Sequence, residues 1–420
     1  MKFLSYLFPG LNGKPFAQAA ATGLCLYALG LPASISLTQI GLGLAFLLTL
    51  AASWRGELDL TVRLRKLWNR QFIIKAWLFY ALAAVITAAV ALFPDRAFRY
   101  LVPDLLKPVT CVFLLSALEK TAVKRVFGCL LTGAALAALC GLAEVIAAYA
   151  AHSQMTRAAF SGNYTFYGEM AVFAFCYAAA LICRGENAER AEIRAAMALS
   201  GLLVTAVMFS QTRSAIVGLA AVFPLFWVLE KRSRNFLLAS AVSALLCMGI
   251  LSVTRPDFTQ RIYSILPAAS ALAKTRAAAP VADVSISNRF GQWSAGIRIF
   301  RNYPFLGVGP NNFMATFDFY HPGLIDGRGG WTAHNLYIEQ AAERGILGLA
   351  ALLCVLGSLA YLAVSLARGA TDPYSLAALA ALCAFMLMTV TGETLQETRE
   401  SGLLFLLLAG AYAYRREESE

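Results

Sequence analysis

Long apolar runs separated by short polar ones set the pattern of this chain. Runs of spanning or near-spanning length fall near 15–32, 34–53, 72–93, 100–118, 126–149, 163–183, 193–210, 213–229, 236–253, 345–367, 373–391 and 400–414. About 20 helical residues cross the hydrocarbon core of a bilayer. Only helices and closed barrels satisfy their backbone polar groups in lipid, and these runs lack the period-two alternation of barrel strands. The pattern predicts an all-α, polytopic helical bundle of about 12 transmembrane helices.

One connection breaks the rhythm. It divides the chain into 1–253 (transmembrane helices 1–9), a long loop over 254–344, and 345–420 (helices 10–12 and a short tail). Its first part, "AASALAKTRAAAPVADVSISN", is Ala-rich and reads as partly mobile. In "NRFGQWSAGIRIFRNY", Phe290, Trp293, Ile297 and Phe300 recur at helical spacing. Pro304, Gly307, Gly309 and Pro310 then enforce turns in "YPFLGVGPNNF". The Gly-rich "HPGLIDGRGGWTAHN" leads into a further helix near His334. Loops longer than about 12–15 residues are usually functional or disordered, and aromatic helices with specific turns favour function here.

Composition agrees with the pattern: 59% of residues are hydrophobic and 14% charged, against roughly 25% charged in soluble domains. The net charge of +11 raises nucleic acid as a partner, but its distribution excludes that. Basic residues crowd alternate loops such as "WRGELDLTVRLRKLWNR", "EKTAVKR", "RGENAERAEIR" and "EKRSRN". The intervening short ones hold only Arg96, Arg99, Lys107, Arg157, Arg213 and Arg399. This positive-inside pattern puts both termini in the cytoplasm and the long loop outside it. The first span reads as an uncleaved signal-anchor. All nine cysteines lie within apolar runs, which suggests packing rather than disulfides or metal.

With the cytoplasmic basic loops set aside, the remaining ionisable groups gather at the outer interface. They are Asp95, Arg96, Arg99, Asp104 and Lys107; Glu144 and His152; Arg157 and Glu169; Arg213; and Glu393, Glu397, Arg399 and Glu400. Ionisable residues at membrane depth are costly and mark function, although an interfacial Arg is often only an anchor. Arg213 lies in "FSQTRSA", beside Gln211, Thr212 and Ser214, and its guanidinium fork suits bidentate phosphate binding. Arg289 opens the "RFGQW" helix, with a salt bridge to Asp283 or to an acidic group elsewhere as the competing reading. His334 follows the Gly-rich approach, with Asn335, Tyr337 and Glu339 available to orient it. A neutral imidazole can act as general base toward a hydroxyl. No Walker A loop, DxD pair, HExxH or GxSxG occurs, and "GVGPNNF" lacks the rest of a dinucleotide fingerprint. Nothing indicates a metal, ATP or NAD.

"NRFGQWSAGIRIFRNYPFLGVGPNNF" followed by "AHNLYIEQAAERGILGL" resembles the O-antigen ligase and polymerase superfamily of bacterial inner membranes. The resembling features are an Arg-x-x-x-Trp helix, a P-x-x-G-x-G turn with a following aromatic, and a His-Asn pair before a Tyr and a Gly. Span number, loop placement and the "SQTRSA" turn agree. The resemblance implies transfer of a glycan from undecaprenyl pyrophosphate to an acceptor hydroxyl at the periplasmic face, without ATP or metal. It implies Arg213 and Arg289 as pyrophosphate contacts and His334 as the base, or the group that positions the acceptor. Arg157, Lys107, Arg99, Gln211 and Tyr337 are secondary candidates. A ligase would use lipid A–core oligosaccharide as acceptor, and a polymerase another lipid-linked repeat. Protein-glycosylating relatives are longer, so the short tail after the last span disfavours a protein acceptor. The compact single outer loop, with its ligase-like order, favours the ligase over the polymerase. A polyprenyl-lipid or solute transporter is the alternative of another class. It is disfavoured by the apolar mid-span residues and the lack of a clear internal repeat.

Overall fold

The computed structural model describes residues 14–152, 156–160, 163–184, 189–230, 234–254, 284–320, 332–392, 395 and 397–416. The Ala-rich stretch before residue 284, most of the Gly-rich approach to His334, Asp283 and Glu393 lie outside them. Every predicted apolar run forms a helix. The first half of the chain contains α1 (Pro15–Ala33), α2 (Ile35–Trp54), α3 (Leu60–Arg70), α4 (Ile73–Ala89), α5 (Pro94–Ala117), α6 (Lys120–His152) and α7 (Tyr164–Arg184). The second contains α8 (Arg190–Ser210), α9 (Arg213–Leu229), α10 (Arg234–Thr254), α11 (Val284–Asn302), α12 (Phe313–Tyr320), α13 (Leu336–Ala367), α14 (Pro373–Met388) and α15 (Thr398–Arg416).

Eight of these helices are long and apolar enough to cross a membrane, or nine if α3 and α4, bent by 85° against each other, count as one broken span. The chain is a multi-pass, all-α membrane bundle. α7 and α15 sit at its centre and are buried on almost every face, as expected of helices apolar all round. Outward-facing Leu47, Leu82, Ile86, Leu245, Leu246 and Val253 form the exposed apolar exterior. α3 instead separates apolar from basic residues and is capped by Asp59, whose carboxylate accepts from Val62 N at 3.0 Å.

α9 and α14, of 17 and 16 residues, are apolar but shorter than the eight. Irregular backbone at membrane depth persists only where protein or a cavity satisfies it. The start of α9 and the end of α14 are where the candidate residues collect.

The outer helix α11 differs from its sequence reading in one respect. Phe290, Trp293 and Ile297 do not form its buried stripe; Gly291, Gln292, Ala295, Gly296 and Ile299 do, and Ile297 is exposed. Small residues win because α13 approaches closely. A Cβ on Gly296 would stand 2.5 Å from Ile338 Cγ2.

Candidate active site

The turn that follows α14, residues 389–391, offers three successive carbonyls to the candidate site. Thr389 O accepts from Leu336 N at 3.1 Å. Val390 O accepts from Asn335 Nδ2 and Thr391 O from Arg289 Nη1, both at 2.9 Å. Asn335 also caps α13, its Oδ1 accepting from Tyr337 N and Ile338 N at 3.0 Å each. One asparagine thus starts α13 and fastens it to α14. The Tyr337 hydroxyl lies 3.4 Å from Thr389 Oγ1, and Glu339 Oε2 accepts from Ala333 N at 3.3 Å. Between these anchors His334 takes a left-handed backbone, φ +47°, with its side chain exposed. Non-glycine residues in that region are uncommon and cluster at functional sites.

The "SQTRS" turn is built from the other side. Gln211 is also left-handed, φ +53°, which ends α8 and lets α9 begin two residues later. Arg157 holds the turn: Nε donates to Ser210 O and Nη2 to Gln211 O, each at 2.9 Å, while the guanidinium stacks 3.4 Å from the centre of the Tyr164 ring. Thr212 Oγ1 donates to Tyr164 O at 3.0 Å. Ser214 Oγ donates to Glu169 of α7, against which Glu400 of α15 is also hydrogen-bonded. Arg213, half-buried, opens α9 above this polar floor.

The two halves meet because α9 packs against α14. Gly218 faces Met388, at 2.8 Å from a Cβ built on the glycine. Arg213 lies five residues earlier, about 7.5 Å along the axis, at the level of the turn that holds Arg289 and Asn335. Arg289 is close enough to His334 to act on its titration. Surrounding protein first, and the Arg289 charge second, push the imidazole from 6.5 down to about 4. Its exposed face tempers the first effect, but both causes favour the neutral ring. Around this cluster, Gln211 Nε2, Gln292 Oε1, Trp293 Nε1 and Thr332 Oγ1 are buried and have no hydrogen-bond partner among the described residues. Unsatisfied buried groups are rare. Thr332 stands two residues before His334, Gln292 and Trp293 lie within about one turn of Arg289, and Gln211 lies two residues before Arg213.

The P-x-x-G-x-G segment, read as a turn, packs as a joint against a break in α13. α13 breaks at Gly345 (φ 61°, ψ −158°), and the 304–312 segment fills the break. Ile346 N donates to Pro304 O at 2.8 Å, Leu347 N to Phe305 O at 3.3 Å, Val308 N to Ala342 O at 3.1 Å and Gly309 N to Glu343 O at 2.7 Å. Glu343 Oε1 accepts from Phe313 N at 3.1 Å, capping α12. A Cβ on Gly307 would lie 2.3 Å from Glu343 C, and one on Gly345 the same distance from Phe305 C. Both glycines are required by backbone contact.

Of the secondary candidates, Gln211 and Tyr337 lie in the cluster, and Arg157 grips the turn that carries Arg213. Lys107 does not line the open site. It is 5% exposed and donates to Asp104 at 2.8 Å, while Asp104 also binds Arg344. Arg344 further donates to Tyr80 Oη at 2.6 Å and Gln340 Oε1 at 2.9 Å, joining α4, α5 and α13. This cluster sits nine residues, roughly 14 Å, along α13 from Asn335. Arg99 is exposed on α5 and donates to its own helix at Asp95 O, 3.0 Å away. Arg344 was missed in the sequence because the apolar run begins one residue later. Its position between Glu343 and Gly345 at the mouth of a span was the available signal.

Residues 198–353 match the family model described as O-Antigen ligase. That is about a third of the chain, and it contains Arg213, Arg289 and His334 but not α7, α14 or α15. No curated protein matches the chain. Over the matched segment the chain is similar to the O-antigen ligase family, as its motifs indicated, which supports the ligase and polymerase superfamily and its chemistry on lipid-linked glycans.

Proposed function

We propose that the chain is an O-antigen ligase, transferring polysaccharide from undecaprenyl pyrophosphate to a hydroxyl of lipid A–core oligosaccharide. The observation that carries the reading is the common anchorage at the end of α14: Arg289 and the residue after His334 bind successive carbonyls there, with Arg213 at the start of the adjoining α9. In this reading the protein lies in the bacterial inner membrane, with both termini cytoplasmic and the site at the periplasmic face.

The chemistry follows from the groups present. The leaving pyrophosphate gains negative charge as the anomeric C–O bond breaks, and two guanidinium forks stabilise it without proton transfer. The acceptor oxygen attacks the anomeric carbon from the opposite side, which inverts it, and passes its proton to an imidazole nitrogen of His334. A ring titrating at about 4 is neutral at physiological pH but a weak base. Bound pyrophosphate offsets the Arg289 charge and raises its basicity when the donor is present. Gln292 and Thr332, buried beside the site, offer partners to a polyhydroxylated acceptor.

The test is transfer by purified, reconstituted protein given undecaprenyl-pyrophosphate glycan with and without lipid A–core. A product that requires lipid A–core supports the ligase. Elongated lipid-linked chains without it reassign the protein to polymerisation, and donor crossing the bilayer unreacted reassigns it to transport. His334→Ala abolishes transfer in folded protein under this reading, and near-normal activity removes His334 from the mechanism. Comparing the anomeric linkage of donor and product by NMR tests inversion.

A further inference from the structure

A cavity of about 820 Å³ opens between the first half of α6, the starts of α8 and α14 and the ends of α7 and α15. That volume falls in the range of ligand pockets, roughly 300–1,000 Å³. It is remote from the site above. α7 runs from Tyr164, which binds Thr212, to Arg184, which lines the cavity, and its 21 residues place the two about 30 Å apart.

Its two ends differ in chemistry. Gly128, Leu131, Ala135, Ala195 and Leu199 form an apolar wall between α6 and α8. Lys120, Lys124 and Arg415 stand at the rim. Lys120 Nζ lies 4.5 Å from the centre of the Tyr414 ring, and Lys124 meets Glu192 at 2.6 Å. Arg184 is engaged by Glu230 at 2.5 Å and Ala370 O at 2.9 Å, and Asp372 caps α14 through Ser375 N at 2.8 Å. Four cations line the cavity against Glu192, Asp372 and the Glu230 that engages Arg184, which leaves a net positive rim. From Lys120 to Ala135 the wall runs about 22 Å along α6, and exposed Gly128 and Thr132 open it sideways.

We propose that this cavity binds an anionic phospholipid from the leaflet at the basic end of the bundle. Its phosphate lies among Lys120, Lys124 and Arg415, and one acyl chain fills the groove between α6 and α8. Charge complementarity selects the head group, since basic pockets between membrane helices hold anionic lipids. The long apolar wall selects a lipid over a soluble phosphate, which would leave it uncovered. A zwitterionic head group would add a cation to a rim that already holds three. The proposal is independent of the transfer reaction.

Native mass spectrometry of the full-length protein in detergent tests it, with phosphatidylglycerol or phosphatidylcholine of equal chain length as probe. One phosphatidylglycerol is expected to remain bound, at least tenfold more tightly than phosphatidylcholine. A Cβ on Gly128 meets nothing within 4 Å, so Gly128→Trp fills the groove and should lower retention at least tenfold. Lys120→Gln combined with Arg415→Gln should do the same from the rim, and decides the matter if Gly128→Trp fails to fold. Equal retention of the two lipids, undiminished binding in the variants, or displacement by millimolar inorganic phosphate overturns the proposal.

Discussion

Replacing Gly345 by alanine tests the joint on which the candidate site hangs. At φ 61° and ψ −158° the backbone lies in a region open essentially to glycine alone, so a side chain costs about 1–3 kcal/mol in strain. The added Cβ would also stand 2.3 Å from Phe305 C and 2.4 Å from its carbonyl oxygen. Backbone cannot swing aside as a flexible side chain can. Relief requires lifting the 304–312 segment off α13, which forfeits the bonds from Ile346 N to Pro304 O and from Leu347 N to Phe305 O. At about 1 kcal/mol each, these bring the expected loss to about 3–5 kcal/mol. Equilibrium unfolding in detergent, followed by tryptophan fluorescence, measures it. Gly307→Ala strikes the same joint from the facing side, at φ +66° and 2.3 Å from Glu343 C. The double variant should therefore cost less than the two single costs together, because the joint opens only once. A Gly345→Ala protein within about 0.5 kcal/mol of the parent, or two costs that add in full, would mean that the two glycines do not form one backbone joint.

The pH dependence of kcat/KM, which reports the free enzyme, should show no histidine limb near 6.5, because His334 stays neutral down to about 4. Arg289→Gln removes the smaller cause of that depression, so the His334 titration should rise but stay below 6.5; NMR of labelled histidine, of which the chain has three, reads this directly, and an unmoved titration counts against the pairing. Arg157→Lys keeps the charge but loses the paired bonds to Ser210 O and Gln211 O; a loss of about 1–3 kcal/mol in unfolding free energy is expected, and unchanged stability would return Arg157 to the list of substrate contacts. Asp104→Asn leaves Lys107 and Arg344 buried without their carboxylate and should cost about 3–5 kcal/mol. Lys107→Met, which leaves Arg344 to pair with Asp104, should cost less; preserved stability with a raised donor KM would instead mean that Lys107 contacts substrate.

Helix placement and the candidate residues were legible along the chain. Apolar runs of spanning length have one way to satisfy their backbone in lipid, so each became a helix. Arg213 and His334 stood out because charged or titratable groups beside such runs are costly, and Arg289 because it opens the "RFGQW" helix of the resembling segment. What their neighbours do emerges from packing between distant segments. Thr391 receives Arg289 across 102 positions, and Arg344 reaches Asp104 across 240. Local periodicity carries no information about such partners. It therefore could not tell Lys107, held in a buried ion cluster, from an arginine at the open face. Nor could it show that Gly307, Gly309 and Gly345 belong to one joint, or that Arg157 grips a turn. α11 shows the same limit. Its aromatic spacing marked a helix, but the face it buries was chosen by the close approach of Ile338 to Gly296. Which residues form a helix is a short-range matter of backbone satisfaction and apolar surface. Which face meets which partner depends on shape and hydrogen bonding between segments far apart in the chain, and exists only once they are packed.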